Sequence, residues 1–364
     1  MARRAVVLTL FLAFAVPTPA VGAQDSPLQV VLDSAQASMG LTGTAAAVIL
    51  ADGTLWTGAS GLAAPDTPAS SATAFELGSI TKLYTAALIL QLESEGRIGL
   101  DHRLARWFPE LPGADHITVS HLLSHTHGLH DPLQEPDFVP TVLQDPTRVW
   151  TLDDVLERMQ ASHFEAGAQW RYSNTGFHLL GAIAEAVTDS TFAELLAAHL
   201  FGPLELQDTW YGTDDPQGAS LAAAYIDPSG AGTPQPVSLL MPWIAFRSSA
   251  GPAGAVVATA SDAVRWLHAL ATGDVLGQAQ WARMTTWVDR PDGHQYGLGI
   301  LRIEDEGRPL LGHKGNSAGY SASAFHDPAS GATAVVLSNA HAVDVTPIAT
   351  ALLDRAGTLD LARP

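Results

Sequence analysis

Two textures divide this chain. Residues 44–50 are an apolar run, Asp52-Gly53 is a turn signal and residues 54–58 return with Trp56 at their centre, a pattern that predicts a β-hairpin. Toward the other end residues 320–324 alternate, 327–331 read Asp-Pro-Ala-Ser-Gly, and 332–337 are continuously apolar, followed by an amphipathic helical pattern over 345–355. Between these ends helical periodicity dominates: 82–95, 118–124, 152–160, 175–187 and 192–200. The expected fold is therefore α+β. Strands from both ends should meet in one antiparallel sheet flanked by helices, with an all-helical unit inserted between them. The sheet-bearing part would comprise about residues 24–98 and 255–364, and the insertion about 99–254. Residues 212–238, rich in Gly, Pro, Asp and Ser, read as surface loops.

The first residues stand apart. Arg3 and Arg4 precede an apolar run over 5–16, then come Pro17, Pro19 and the small-residue triplet Val21-Gly22-Ala23. This is the pattern of a secretory signal peptide over residues 1–23, cleaved after Ala23, and the run is short for a membrane span. An uncleaved anchor is the competing reading. The expectation is an exported protein, secreted or periplasmic, with no stable membrane insertion after cleavage.

Composition narrows the function. With 47% hydrophobic and 15% charged residues the 364-residue chain is too apolar to stay unfolded. A net charge of −19 leaves little cationic surface for phosphates, which argues against a nucleic-acid partner. There is no Cys, hence no disulfide, thiolate nucleophile or cysteine zinc site. Any nucleophile must be an oxygen or a nitrogen.

Three short motifs supply candidate chemistry. Ser79-Ile80-Thr81-Lys82 lies where an extended segment gives way to a helix, so Lys82 returns to the face of Ser79 one turn on. A serine hydroxyl needs a neighbouring base, and a desolvated lysine can serve. The helix N-terminus favours negative charge developing beside it. Alone, the motif also reads as a helix cap and a surface lysine. Tyr172-Ser173-Asn174 places a phenol and an amide on one side of an extended stretch, a proton shuttle and a polar anchor for a substrate amide. Its bland reading is a core tyrosine beside a capping Asn. His313-Lys314-Gly315 ends a strand-like segment over 309–312, where a cation can bind an anionic group or tune a phenol and the Gly allows close approach of a substrate backbone. Of the 18 basic residues 16 are Arg and two are Lys, namely Lys82 and Lys314. In so lysine-poor a chain, Ser-x-x-Lys carries more weight than usual.

In this order and spacing, the motifs resemble those of the serine β-lactamase and penicillin-binding DD-peptidase superfamily, closest to its class C β-lactamase, D-aminopeptidase and esterase branch. The likeness takes in Leu122-Leu123-Ser124-His125-Thr126 with Gly128-Leu129, Phe201-Gly202-Pro203-Leu204, Thr259-Ala260-Ser261-Asp262 and Tyr296-Gly297-Leu298-Gly299, and covers roughly residues 30 to 355. The resemblance implies a β-lactamase/transpeptidase-like fold and acyl transfer without a cofactor. Ser79 would form the acyl-enzyme, Lys82 and Tyr172 would share base and acid work, and Asn174 would hold a substrate amide or orient Lys82. The backbone N–H groups of Ser79 and Asn316 would form the oxyanion hole. His313 would occupy the place held by Lys in class C β-lactamases and by His in the peptidase and esterase branch, with Lys314 and Gly315 completing the substrate-binding strand. Position 314 departs from the family's small residue. Lys314 would bind a carboxylate or tune Tyr172 if it enters the site, and would be a surface charge if it does not. The implied partner is a small molecule or peptide with a reactive carbonyl; a β-lactam, a D-alanyl peptide, an ester and a D-amino-acid amide all remain open, with selectivity in loops 130–150 and 205–250. Trp107, Trp150, Trp170, Trp210 and Trp243 are candidates to line an acyl pocket, or core residues.

Other readings compete. His125-x-His127-x-x-His130 has the spacing of a zinc hydrolase, although Leu129 stands where that motif needs Asp, and no metal site is expected. Gly315-x-Ser317-x-Gly319 fits a nucleophile elbow, with Asp327 and His341 following in α/β-hydrolase order, but a helix should follow the serine and a strand pattern does. A catalytically weak penicillin-binding or sensor module is the non-enzymatic alternative.

Overall fold

The two ends of the chain share a nine-stranded antiparallel sheet in the computed structural model, which describes residues 26–212, 220–227 and 231–361. The leader expected over residues 1–23 lies outside the described residues. The sheet runs Thr67–Pro68, Leu55–Ala64, Gly43–Ile49, Thr333–Ser338, Tyr320–His326, Arg308–Ser317, Leu301–Asp305, Gln295–Tyr296 and Val288–Asp289. N- and C-terminal segments meet where Gly43–Ile49 pairs with Thr333–Ser338, Thr44 opposite Ser338 and Ile49 opposite Thr333. Both of these strands are buried along their whole length, so the apolar pattern of 332–337 is continuous rather than alternating.

Each face of the sheet has its own cover. On one lie the helices Pro27–Met39 and Thr346–Leu361, packing Leu28, Leu32 and Leu352 against Trp56, Phe325 and Val336. On the other, Ala260–Thr272 brings Trp266 and Leu270 against Ala47 and Val335, and the helix Thr81–Ser94 follows. Thr81–Ser94 is buried on nearly every side, which explains why it shows no apolar stripe: it lies between the sheet and the helical layer and must be apolar all round.

Within 99–254 the longer regular elements are helices, Val119–Leu123, Phe138–Gln144, Leu152–Leu156, Thr175–Thr188, Phe192–Leu196 and Ile244–Gly254, set among turns and loops. The stretch also carries short strands absent from the sequence reading. Tyr225–Ile226 pairs with Gln235–Pro236, and Thr209–Tyr211 joins Val256–Thr259 and Ala74–Glu76 in a small antiparallel sheet. That small sheet delivers the chain to residue 77, two residues before Ser79. Among the described residues no helix is long and apolar enough to cross a membrane.

Candidate active site

Ser79 lies in the 3-10 turn Gly78–Ile80 that opens into Thr81–Ser94, so the helical repeat returns Lys82 to it one turn later. Lys82 Nζ donates to Ser79 Oγ at 3.1 Å, to Asn174 Oδ1 at 2.8 Å and to the Ala253 carbonyl at 2.8 Å. Three donors thus meet three neutral acceptors. The side chain is wholly buried, and that desolvation lowers its pKa to about 7 against the upward pull of the Asp131 carboxylate. An amine that titrates near neutrality has an accessible lone pair, as a base needs.

Tyr172 donates its phenol to Ser79 Oγ at 2.5 Å. Burial raises its pKa above the ordinary phenol value, so the proton stays on near neutral pH. In this state Tyr172 is a donor and the lysine is the group able to take the serine proton. The ring is backed by His125, whose imidazole lies 4.5 Å from it between centroids and packs against Tyr296 at 4.7 Å.

Asn174 directly precedes the helix Thr175–Thr188, its side chain making no cap bond, and is held from behind by Asp131. Asp131 Oδ2 accepts from Asn174 N at 2.7 Å and from Asn174 Nδ2 at 2.9 Å, which leaves Oδ1 of the amide to face Lys82. Gln134 Nε2 and Leu133 N donate to the same carboxylate. The sequence reading missed Asp131; it lies just past the third histidine of the His-x-His-x-x-His spacing.

The third motif lies on the strand Arg308–Ser317. His313 is buried, its Nδ1 toward the Lys314 carbonyl at 2.5 Å and its Nε2 toward the Tyr296 phenol at 2.9 Å. The carbonyl requires the proton on Nδ1, leaving Nε2 to accept. Burial, reinforced by Lys82, lowers its pKa to about 3, so His313 is neutral and not the cation expected of this motif. Lys314 reaches Asp344 Oδ2 at 3.0 Å, its side chain half-buried and that of Asp344 exposed. Both line the mouth of the cavity that holds Ser79.

Gly315 and the preceding turn touch backbone to backbone. A Cβ on Gly315 would lie 1.9 Å from the Leu77 carbonyl oxygen, and one on Gly78, at φ +51°, 2.7 Å from Asn316 N. Neither contact leaves room for a side chain. This approach brings Ser79 and Asn316 to one cavity of about 560 Å³, whose walls include Trp170, Tyr172, Leu301 and His313. Of the five tryptophans considered, Trp170 lines it; Trp107, Trp210 and Trp243 pack in hydrophobic clusters, and Trp150 packs against Phe138. Arg290 also lines it, stacked 4.6 Å over Trp170 and held by Asp292, with its positive charge lowering the Tyr172 pKa against the effect of burial. Arg290 sits in an Asp-Arg-Pro-Asp-Gly turn whose spacing signals only a loop.

Neither competing motif assembles a site. His127 Nδ1 accepts from Leu129 N, His130 Nε2 faces Glu135 at 2.8 Å, and His125 lies behind Tyr172; no group of three potential metal ligands converges among the described residues. Ser317 ends a strand that turns directly into Tyr320–His326, with Ser317 paired opposite Tyr320, so the helix a nucleophile elbow needs is replaced by a hairpin. Asp327 lies beyond the far end of that hairpin, bonded to Arg308.

Comparison with known proteins shows the family. The chain is 29% identical over 323 residues to penicillin-binding protein 4 of Amycolatopsis lactamdurans, covering 81% of this chain and 80% of that one. It is 30% identical over 233 residues to esterase EstB of Burkholderia gladioli, covering 58% of this chain and 56% of the esterase. The solved structure of D-amino acid amidase from Ochrobactrum anthropi SV3 complexed with L-phenylalanine amide superposes with a TM-score of 0.79 at 25% identity, over 92% of this chain and 96% of the amidase. The Beta-lactamase family model matches residues 31–357, and the chain therefore belongs to that family as a serine hydrolase.

Proposed function

We propose that this protein is an exported hydrolase of small amides and esters, D-amino-acid amides foremost, working through an acyl-enzyme on Ser79. The observation that carries the reading is the convergence of Lys82 Nζ and Tyr172 OH on Ser79 Oγ. Neutral Lys82 takes the serine proton as Oγ bonds to the carbonyl carbon, and the backbone N–H groups of Ser79 and Asn316 receive the oxyanion. The C–N or C–O bond then breaks. Tyr172 gives its proton to the leaving atom and recovers one from the Lys82 ammonium across the site. Water repeats the sequence on the acyl-enzyme and releases the acid.

The substrate class is supported by likeness to the D-amino acid amidase and by the rim. At position 314 the family's small residue is replaced by a lysine tied to Asp344, which weakens the case for a β-lactam carboxylate there. Asp292 and Asp344 also line the cavity, each paired with a cation of the same wall, Arg290 and Lys314. The test is turnover of D-phenylalanine amide, p-nitrophenyl acetate, nitrocefin and a D-Ala-D-Ala peptide, with fluorophosphonate labelling located by mass spectrometry. We expect the amide and the ester to be turned over faster than nitrocefin, and the label on Ser79. A label on Ser317, or turnover retained in Ser79→Ala, sinks the reading. Sequencing the N-terminus of exported protein tests the leader: a start at Gln24 supports cleavage, and an intact Met1 refutes it.

A further inference from the structure

Glu76 and Ser317 have no part in the chemistry above, yet each adjoins a group that does. Glu76, 2% exposed, ends the strand Ala74–Glu76 three residues before Ser79, and Ser317 directly follows Asn316. Ser317 Oγ donates to Glu76 Oε2 at 2.6 Å, and Arg247 Nε donates to Glu76 Oε1 at 3.0 Å. Arg247 belongs to Ile244–Gly254, a helical stretch kinked at Gly251 (φ 45°), and just beyond the kink the Ala253 carbonyl accepts from Lys82 and the Pro252 carbonyl from Thr85 Oγ1. One buried carboxylate therefore bonds to two segments, 171 and 241 residues away in the chain, each beside a working part of the site.

Stability alone is a weak reason for such a hub. Removing an Arg–carboxylate pair from water is costly, and well-packed apolar residues often do as well. Its location offers a better one. The N–H groups of Ser79 and Asn316 lie on segments in backbone contact at Gly78 and Gly315, and an oxyanion hole works only when its donors are fixed to within a fraction of an ångström.

We propose that Glu76 is a positioning residue for the oxyanion hole, holding the Asn316 strand in register with Ser79 through Ser317, while Arg247 ties the same carboxylate to the segment that precedes the Gly251 kink. The proposal rests on Ser79 being the nucleophile. It gives Ser317 a role as a tether.

The test compares Ser317→Ala, Glu76→Ala and Glu76→Gln with the full-length wild type. Substrates are p-nitrophenyl acetate and D-phenylalanine amide; an aryl boronic acid serves as tetrahedral mimic. A glutamine can still bridge, its oxygen accepting from Arg247 and its amide donating to Ser317 Oγ. We expect Ser317→Ala and Glu76→Ala to lower kcat by about tenfold, with KM within about twofold and boronate affinity falling in step with kcat. Glu76→Gln should recover most of the loss. Unchanged kcat in Ser317→Ala, a loss confined to KM, or boronate affinity that stays at the wild-type value overturns the proposal. Should Glu76→Ala fail to fold, Ser317→Ala, which deletes one oxygen, still decides. Fluorophosphonate labelling separates the two levels. A wild-type label away from Ser79 overturns both readings, whereas Ser79 labelled at an unaltered rate in Ser317→Ala overturns this one alone.

Discussion

The floor and the rim of the cavity each hold one of the chain's two lysines, and the two sites treat the same side chain in opposite ways. On the floor, Lys82 is fully buried among three neutral acceptors, and its pKa falls to about 7. On the rim, Lys314 has a side chain 40% exposed and paired with Asp344, itself 60% exposed. Burial without a carboxylate in contact makes an amine a base, whereas Lys314 keeps contact with water and a carboxylate. Motif membership alone does not distinguish them, since both lie in motifs. Floor groups should therefore control the rate and its pH dependence, and rim groups should modulate binding weakly.

The largest effect expected is on the floor. Lys82→Ala should lower kcat/KM by about 10²- to 10⁴-fold, the range for losing a general base. In the wild type kcat/KM should rise with pH and level off above about pH 7, because the base is the neutral amine. A flat profile from pH 5 to 9 would dissolve the contrast between the two lysines. Next comes Asp131→Asn, which leaves the charge-free shape but weakens the grip on Asn174. Activity should fall by about 10- to 100-fold. Because the Asp131 charge raises the Lys82 pKa, its removal should move the inflection to lower pH; movement to higher pH would contradict the account. Smallest is Lys314→Ser. An exposed ion pair contributes about 0–1 kcal/mol, so urea unfolding should shift no more than that and kcat/KM should stay within about threefold. A tenfold loss of activity would place Lys314 with the floor.

Much of this was legible where the chemistry is local. Ser79 and Lys82 are one helical turn apart, so spacing alone puts them on a common face, and Tyr172 and Asn174 are only two residues apart, although Asn174 is already in helical conformation and not in the extended stretch expected. The hairpins at both ends were legible because turn residues and apolar runs coincide there. Asp131 was not, because its partner Asn174 lies 43 residues away and nothing in a His-Asp step signals a support for an amide. The carbonyl of Ala253 is invisible in any side-chain motif. Gly315-x-Ser317-x-Gly319 was legible as a pattern and misleading as a nucleophile elbow, since that pattern is shared by a helix-bearing elbow and a hairpin and only the following chain separates them.

By itself the sequence determined the inventory: an acidic, cysteine-free, lysine-poor chain with three motifs in an order that names the family, and strands at both ends enclosing helices. Only the tertiary structure decided how each group is charged and aimed. It makes His313 neutral, pairs Lys314 with Asp344, fixes the amide of Asn174 toward Lys82, and brings Glu76 to Ser317 across 241 residues. The reason is physical. Spacing along a chain sets which face a side chain shares with its neighbours, but proton affinity depends on the water and charge removed or supplied by segments remote in sequence, and these meet only when the fold closes.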